Sequence, residues 1–90
     1  MLKVMIRVKL KEVLHSRDLQ QKELIEMLDE YRQEKAKVQG TDFKRVRPAS
    51  MSELYHNQRL VINKELVEDI ASVLGITDVN ELIEFTAYEL

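Results

Sequence analysis

The first ten residues, MLKVMIRVKL, change their hydrophobic period partway along, and this change constrains how the N-terminus folds. Apolar residues occupy every second position from Leu2 to Leu10, which is the pattern of a strand with one buried face. From Leu10 onward the apolar residues recur at i, i+3 and i+4, which is typical of an amphipathic helix. We therefore predict a strand over about residues 2–7 and a first helix over about residues 8–17.

A second helix is predicted from Gln21, because apolar residues follow one face as far as Leu28. The continuation, DEYRQEKAKVQ, favours helix by propensity but has few apolar residues. It forms either a helix that projects into solvent or a charged flexible insertion. Gly40-Thr41-Asp42 ends the segment in both cases.

The segment PASMSELY predicts a short amphipathic helix. It begins either at Pro48, which suits the first helical position because proline lacks an N–H, or at Ser50, which fits a capping box with Glu53. In both cases the helix ends near Tyr55.

Two further helices are predicted after it. A loop with a strand-like stretch at Leu60–Ile62 leads to a helix that Asn63 caps and Gly75 ends. Asp78 caps a last short helix, and the tail FTAYEL returns as a strand against the N-terminal strand. Because glycine and proline are scarce, we predict an all-α fold class, with about five helices and a short N-terminal strand in a single domain over residues 1–90.

The composition argues against several classes of function. The chain has no cysteine, which excludes disulfides, thiolate zinc sites and cysteine catalysis and suits the cytoplasm. Its apolar runs are too short to span a membrane. His15 and His56 are far apart in sequence, and the motifs of metal sites, phosphate-binding loops and nucleophiles are missing. We predict that the protein is not an enzyme and holds no metal or cofactor.

Charge is unevenly distributed along the chain. Residues 1–50 carry 12 Lys or Arg against 8 Asp or Glu, whereas residues 51–90 carry 2 against 8. Basic residues are frequent in Lys44–Arg59, KRVRPASMSELYHNQR, although the net charge of the chain is −2. A polyanion would be attracted to the first part of the chain and repelled by the rest. Chance segregation of surface charge is the alternative explanation.

The same segment has the arrangement of a DNA-recognition helix. A helix-turn-helix unit needs a short amphipathic helix whose exposed N-terminal end enters the major groove. The predicted exposed face consists of Arg47, Ala49, Ser52, Glu53 and His56. Phosphate contacts are predicted for the flanking residues, Lys44, Arg45 and Arg47 before the helix and Asn57, Gln58 and Arg59 after it. The alternative is one amphipathic helix among several, with basic loops around it.

Two longer stretches extend this pattern, MIRVKLKEVLHSRDLQQKELIEML and VRPASMSELYHNQRLVINKELVEDIASVLGITDVNELIEF. They resemble the Cro/CI-type (lambda repressor-like, XRE) helix-turn-helix transcriptional regulators in the order and spacing of their apolar, capping and loop residues. The resemblance covers Met5–Leu28 and Val46–Phe85, and it implies a lambda repressor-like DNA-binding domain.

The resemblance also implies roles for individual residues. Gln21 would contact the DNA backbone and brace the recognition helix. Base-reading positions fall at Pro48, Ala49 and Glu53, with Arg47 at the entrance. The loop that binds phosphate would contain His56, Asn57 and Arg59. Core positions fall at Leu14, Leu24, Met51, Leu54, Ile70, Leu74, Ile76 and Leu82.

The chain departs from the family between the two helices of the motif. Gln21 and Val46 are 25 positions apart, against about nine in the family, whose short turn fixes the angle between the helices. An insertion over about residues 29–44 accounts for the difference, and loop-closure entropy tolerates it. The insertion could add basic contacts, pair with another subunit, or obstruct DNA.

These observations predict a sequence-specific DNA-binding transcriptional regulator of bacterial or phage type, either a repressor or an activator. It would act on double-stranded DNA in the cytoplasm as a homodimer, with helix 48–55 in the major groove. The strand at Leu2–Ile6 and the 29–44 insertion are the candidate dimer surfaces. The alternative is a protein-interaction module on the same fold, antitoxin-like or anti-repressor-like, which binds a protein partner through the insertion.

Overall fold

The computed structural model of the protein describes residues 1–59 and 61–90. Within them the chain forms four α-helices, one 3-10 turn and a two-stranded antiparallel sheet. In chain order the elements are β1 (Leu2–Val8), α1 (Leu10–Ser16), α2 (Gln21–Gln39), α3 (Pro48–Tyr55), α4 (Lys64–Leu74), the 3-10 turn Val79–Glu81 and β2 (Ile83–Glu89).

The prediction of an all-α fold class with a fifth helix is wrong. The expected helix after Asp78 is only the 3-10 turn Val79–Glu81, in which the Asp78 carboxylate accepts a hydrogen bond from the Asn80 N–H at 3.0 Å. From Ile83 the chain continues as a strand of seven residues. A helix this short forms few internal hydrogen bonds, whereas a strand at this position pairs along the whole of β1.

The strands β1 and β2, together called the ribbon, pair antiparallel in a continuous register from Leu2 opposite Glu89 to Val8 opposite Ile83. A hydrogen bond from the Lys9 N–H to the Leu82 carbonyl, 2.7 Å, extends the pairing into the helical part of the fold. The ribbon is therefore anchored to the helices at its Val8–Ile83 end.

The hydrophobic core lies among the four helices. All eight core positions that the family resemblance implied are buried, and Leu24, Met51 and Ile70 have no exposed surface. Val8 is the buried residue that β1 contributes, and Val46 is the one contributed by the segment before α3. The core therefore holds both the base of the ribbon and the start of α3.

The second half of α2 is helical, as in the first of the two structures that the sequence allowed, but it packs against α4 and does not project into solvent. The helix continues to Gln39 and ends at Gly40, whose φ of 68° places it in the left-handed region where glycine has no steric penalty. The segment that follows returns along α2, because the Asp29 carboxylate accepts from the Val46 N–H at 2.8 Å. The insertion expected at about residues 29–44 is thus a helical extension with a returning segment, and residues 30–45 are called the arm.

An ion pair holds the arm against α4. Asp69 on α4 is buried, and its carboxylate lies 2.9 Å from the Arg32 Nε and 3.6 Å from the Lys35 Nζ. Arg32 also donates to the Lys44 carbonyl at 3.2 Å, so one guanidinium joins α2, the returning segment and α4. Burying a carboxylate is costly unless it is paired, and these contacts satisfy it.

The ends of α3 and α4 follow local signals in the sequence. Of the two starts proposed for α3, the structure has the one at Pro48. The Asn63 side chain accepts from the Leu66 N–H at 3.1 Å, and α4 ends at Gly75 with a φ of 69°. The strand-like stretch expected at Leu60–Ile62 includes Leu60, which lies outside the described residues.

No helix in the described part of the chain has the length and apolar character needed to cross a membrane.

The Arg32–Asp69 pair leads to a prediction about stability. Arg32→Ala is expected to reduce the free energy of unfolding by about 3 kcal/mol, because it leaves a buried carboxylate without its nearest cation. Urea denaturation would measure the change. Lys37→Ala is the control, since Lys37 pairs with Glu34 on an exposed surface and its removal should cost less than about 0.5 kcal/mol. Equal effects in the two variants would contradict the role given to Asp69.

Candidate nucleic-acid interface

The N-terminal end of α3 is open to solvent. Arg47 is the N-cap residue, in an extended conformation, and Pro48 is the first helical residue. Arg47, Pro48 and Ala49 are all exposed. The opposite face of the helix is fixed by Met51 and Leu54, which are buried. The buried face therefore fixes the helix to the core, while its first turn is exposed to solvent.

The rest of the exposed face is less open. Ser52 and Glu53 are half-buried, whereas His56, just past the end of the helix, is exposed. The imidazole of His56 packs edge-to-face against the ring of Tyr55, with the ring centroids 4.9 Å apart. A ligand would therefore meet Arg47, Pro48 and Ala49 before it reached the deeper side chains.

Glu53 and Arg59 neutralise one another. The Arg59 Nε and Nη2 lie 3.1 Å from the two carboxylate oxygens of Glu53, which is a two-point contact. The hydrogen bond to Glu53 raises the pKa of Arg59 above its ordinary value. A base that approached Glu53, or a phosphate that approached Arg59, would have to displace the other partner.

Asn57 is tied to the ribbon. Its side-chain oxygen accepts from the Val8 N–H at 2.7 Å, and its side-chain nitrogen donates to the Val8 carbonyl at 2.9 Å. Its backbone has a φ of 54°, a left-handed conformation that asparagine tolerates better than most residues. The amide thus satisfies both backbone groups of a buried residue and connects the end of α3 to the base of the ribbon.

A basic cleft lies beside the start of α3. It has a volume of about 540 Å³ and lies between the second half of α2, the returning part of the arm, and the N-terminal end of α4. Its cationic side chains are Arg32, Lys35, Lys44, Arg45 and Arg47, and its acidic side chains are Asp42, Glu65 and Asp69. Among the residues that the structure describes, Lys44, Arg45 and Arg47 have no carboxylate within 4.0 Å.

Gln21 is the first residue of α2 and is half-buried. The Glu23 carboxylate accepts from the Gln20 N–H at 3.2 Å, which supports this end of the helix although Gln20 is not one of the strongest N-cap residues. The helix terminus that the resemblance assigns to DNA contact is therefore well defined.

Lys44, Arg45 and Arg47 thus line the cleft next to the exposed Pro48 and Ala49, whereas Asn57 and Arg59 are engaged in contacts within the protein. Sequence reasoning missed Arg32 and Lys35 as residues of the cleft. The signal that could have found them is their i, i+3 spacing on α2, which puts both on one helix face.

No protein-family model, no curated protein and no solved structure matches this chain.

The geometry of Asn57 predicts that its substitution affects stability. Asn57→Ala is expected to lower the free energy of unfolding by about 2 kcal/mol, because it leaves the N–H and the carbonyl of Val8 without partners. Gln58→Ala, at the adjacent exposed amide, should change it by less than about 0.5 kcal/mol. Thermal or urea unfolding followed by circular dichroism would measure both. A stable Asn57→Ala protein would show that the two hydrogen bonds are dispensable.

Proposed function

We propose that the protein is a sequence-specific DNA-binding transcriptional regulator, and that α3 is its recognition helix. The observation that carries the proposal is the exposed first turn of α3 beside three cations that lack acidic partners among the described residues, Lys44, Arg45 and Arg47. A projecting helix N-terminus with adjacent basic side chains has the shape and charge that the major groove and its phosphates accept.

In this proposal, phosphate contacts position the protein and few side chains read bases. Lys44 and Arg45 neutralise backbone phosphates, and Gln21 reaches the backbone from the start of α2. Arg47 is the side chain best suited to a direct contact with a guanine, because a guanidinium can donate to two acceptors at once. Ala49 and Ser52 offer little hydrogen bonding, so DNA shape contributes much of the specificity.

The arm is compatible with this mode of binding. The hydrogen bond from the Val46 N–H to the Asp29 carboxylate brings the chain back to α2. The residues that lead into α3 therefore start beside α2, as they would after a short turn. Arg47, Pro48 and Ala49 remain exposed although the arm is present. The arm adds Lys44 and Arg45 to the basic surface and leaves the first turn of α3 open.

The proposed regulator acts in the cytoplasm as a homodimer. A two-fold axis would place two α3 helices about 34 Å apart, one turn of DNA, so that each reads one half-site. Whether it represses or activates depends on where its operator lies relative to a promoter.

A second candidate function is a protein-interaction module that uses the arm. Val38, in the last turn of α2, is 86% exposed, and Phe43 in the returning segment is 37% exposed. Exposed apolar side chains in an inserted segment are suited to a protein partner. Absence of binding to duplex DNA at low salt would favour this candidate over the regulator.

Binding to duplex DNA of random sequence tests the proposed function. The double variant Lys44→Ala/Arg45→Ala is expected to bind more weakly and to reduce the salt slope of the binding constant by about two, since two phosphate contacts are lost. Fluorescence anisotropy at several salt concentrations would measure the slope. The charge-matched variant Lys3→Ala/Lys11→Ala, on β1 and α1, should retain the wild-type slope. A similar loss in both variants would point to general attraction by net charge.

The Glu53–Arg59 pair gives a prediction of opposite sign. Glu53→Gln is expected to strengthen binding to duplex DNA a few-fold, because it removes an acidic charge from the proposed interface and releases Arg59 for a phosphate. The same anisotropy titration would measure the change. Glu26→Gln, at an exposed position on α2, is the control and should have little effect. Weaker binding by Glu53→Gln would mean that Glu53 itself contacts the DNA or positions Arg59.

A further inference from the structure

One face of the ribbon is apolar and exposed. It consists of Leu2, Val4 and Ile6 on β1 with Phe85 and Ala87 on β2, and is called the ribbon face. Leu2 is 62% exposed, Val4 51%, Ile6 52% and Phe85 74%. The sequence predicted a strand whose apolar face is buried, but the one member of the alternating series on β1 that is buried is Val8.

Residues 1–59 and 61–90 of a single chain leave this face largely exposed. A two-stranded ribbon is marginally stable by itself and needs another surface to bury one side. Among the described residues, the helices supply such a surface at the base, where Val8 and the partly buried Ile83 join the core. Monomeric proteins rarely expose a contiguous apolar patch larger than a few hundred Å², and larger ones mark interaction sites.

We propose that a second copy of the chain covers the ribbon face, with the two faces packed against each other across a two-fold axis. A two-fold interface needs a surface that is complementary to itself. The ribbon face meets this requirement because its opposed pairs Val4–Ala87 and Ile6–Phe85 carry no charge. Glu89, opposite Leu2, lies at the tip, where an interface has a polar rim.

The shape of the molecule leaves the ribbon accessible to a second copy. Its extents are 49 × 27 × 25 Å and its radius of gyration is 14.4 Å, against about 12 Å for a compact domain of this length. A groove of about 780 Å³ separates β1 from the residues that follow α3. The ribbon therefore stands apart from the helices along most of its length.

Pairing through the edge of β1 would not cover the ribbon face. Lys9 and Leu82 form a hydrogen-bonded pair, so the backbone groups of the even-numbered residues of β1 point outward from the ribbon. At Val8 these groups are bonded to Asn57. A second strand added at the remaining edge would extend the sheet but leave Phe85 in water, so burial of the apolar surface requires the two faces to meet.

The inference rests on the proposed function for its biological role, because a two-fold dimer is what brings two α3 helices to successive turns of DNA. It identifies the ribbon, and not the arm, as the dimer surface. The dimer itself depends only on the apolar face.

Sedimentation equilibrium of the full chain at micromolar concentration tests the inference. The wild-type protein is expected at twice its chain mass of 10.6 kDa. Val4→Lys and Phe85→Lys are each expected at the chain mass, with the dimer dissociation constant raised more than about 100-fold and the helical circular dichroism retained. Val79→Lys, at an exposed valine of the 3-10 turn, should remain dimeric, as should Val38→Lys on the arm.

Three results would overturn the inference. A monomeric wild-type protein would do so directly, and a dimer lost in Val38→Lys but kept in Val4→Lys would move the interface to the arm. A dimer kept in Phe85→Lys would indicate edge pairing. If the lysine variants do not fold, the melting temperature of the wild-type protein still decides, because it rises with protein concentration only if folding is coupled to dimerisation.

Duplex DNA binding by the same samples separates this inference from the proposed function. A wild-type dimer that does not bind DNA at low salt would leave the ribbon interface standing and refute the regulator. A wild-type monomer that binds DNA would do the reverse. If the wild-type protein is a dimer and binds DNA, the monomeric variants should bind with about half the wild-type salt slope. The reason is that a monomer contacts half as many phosphates as a dimer.

Discussion

The hydrogen bond from the Val46 N–H to the Asp29 carboxylate fixes the place in the fold from which the chain enters α3. Asp29 lies in the third turn of α2, and the helix continues beyond it to Gln39. The segment after α2 then returns to Asp29 before α3 starts. An unrestrained loop of this length would leave α3 free to adopt many orientations, although the entropy of closing it grows slowly with length. With the return point fixed and Val46 buried, the helix has one position relative to the core.

Burial of Asp69 strengthens this constraint. Its carboxylate is satisfied only when Arg32 and Lys35, one turn apart on the extended part of α2, both face α4. A buried carboxylate tolerates few arrangements of the helices, because any arrangement that separates it from its cations leaves its desolvation cost uncompensated. The arm is therefore part of the fold and not an appended loop, and the basic cleft beside α3 follows from its return path.

The sequence predicted the elements whose signals are local. The start of α3 at Pro48, the cap at Asn63 and the end of α4 at Gly75 each depend on residues within one turn. The error at the C-terminus has the same origin, because Asp78 is a real cap but the choice between helix and strand after it was made by pairing with β1, most of a chain length away. Secondary-structure propensity depends on neighbouring residues and therefore cannot predict pairing with a strand that is so distant in sequence.

The candidate site was predicted in part for a related reason. The cations before α3 were found because they are adjacent in sequence, and the structure keeps Lys44, Arg45 and Arg47 exposed. The engagement of Asn57 with Val8 was not predictable, since it joins residues 49 positions apart. From the sequence, polar side chains in a loop look like phosphate ligands whether they face solvent or bond to another part of the fold. The tertiary structure is needed to distinguish these two cases.

Some acidic residues of the second half of the chain form ion pairs with basic residues of the first half. Asp69 of the acidic second half is matched by Arg32 of the basic first half, and Glu84 is matched by Arg7 at 2.6 Å. Glu53 is matched within its own half by Arg59. Once these carboxylates are assigned, the slight excess of acid over base in the whole chain does not oppose a polyanion at α3, since a surface is felt mainly within a Debye length of about 10 Å. At the start of α3, Lys44, Arg45 and Arg47 have no acidic partner among the described residues, and the five cationic side chains that line the cleft outnumber its three carboxylates.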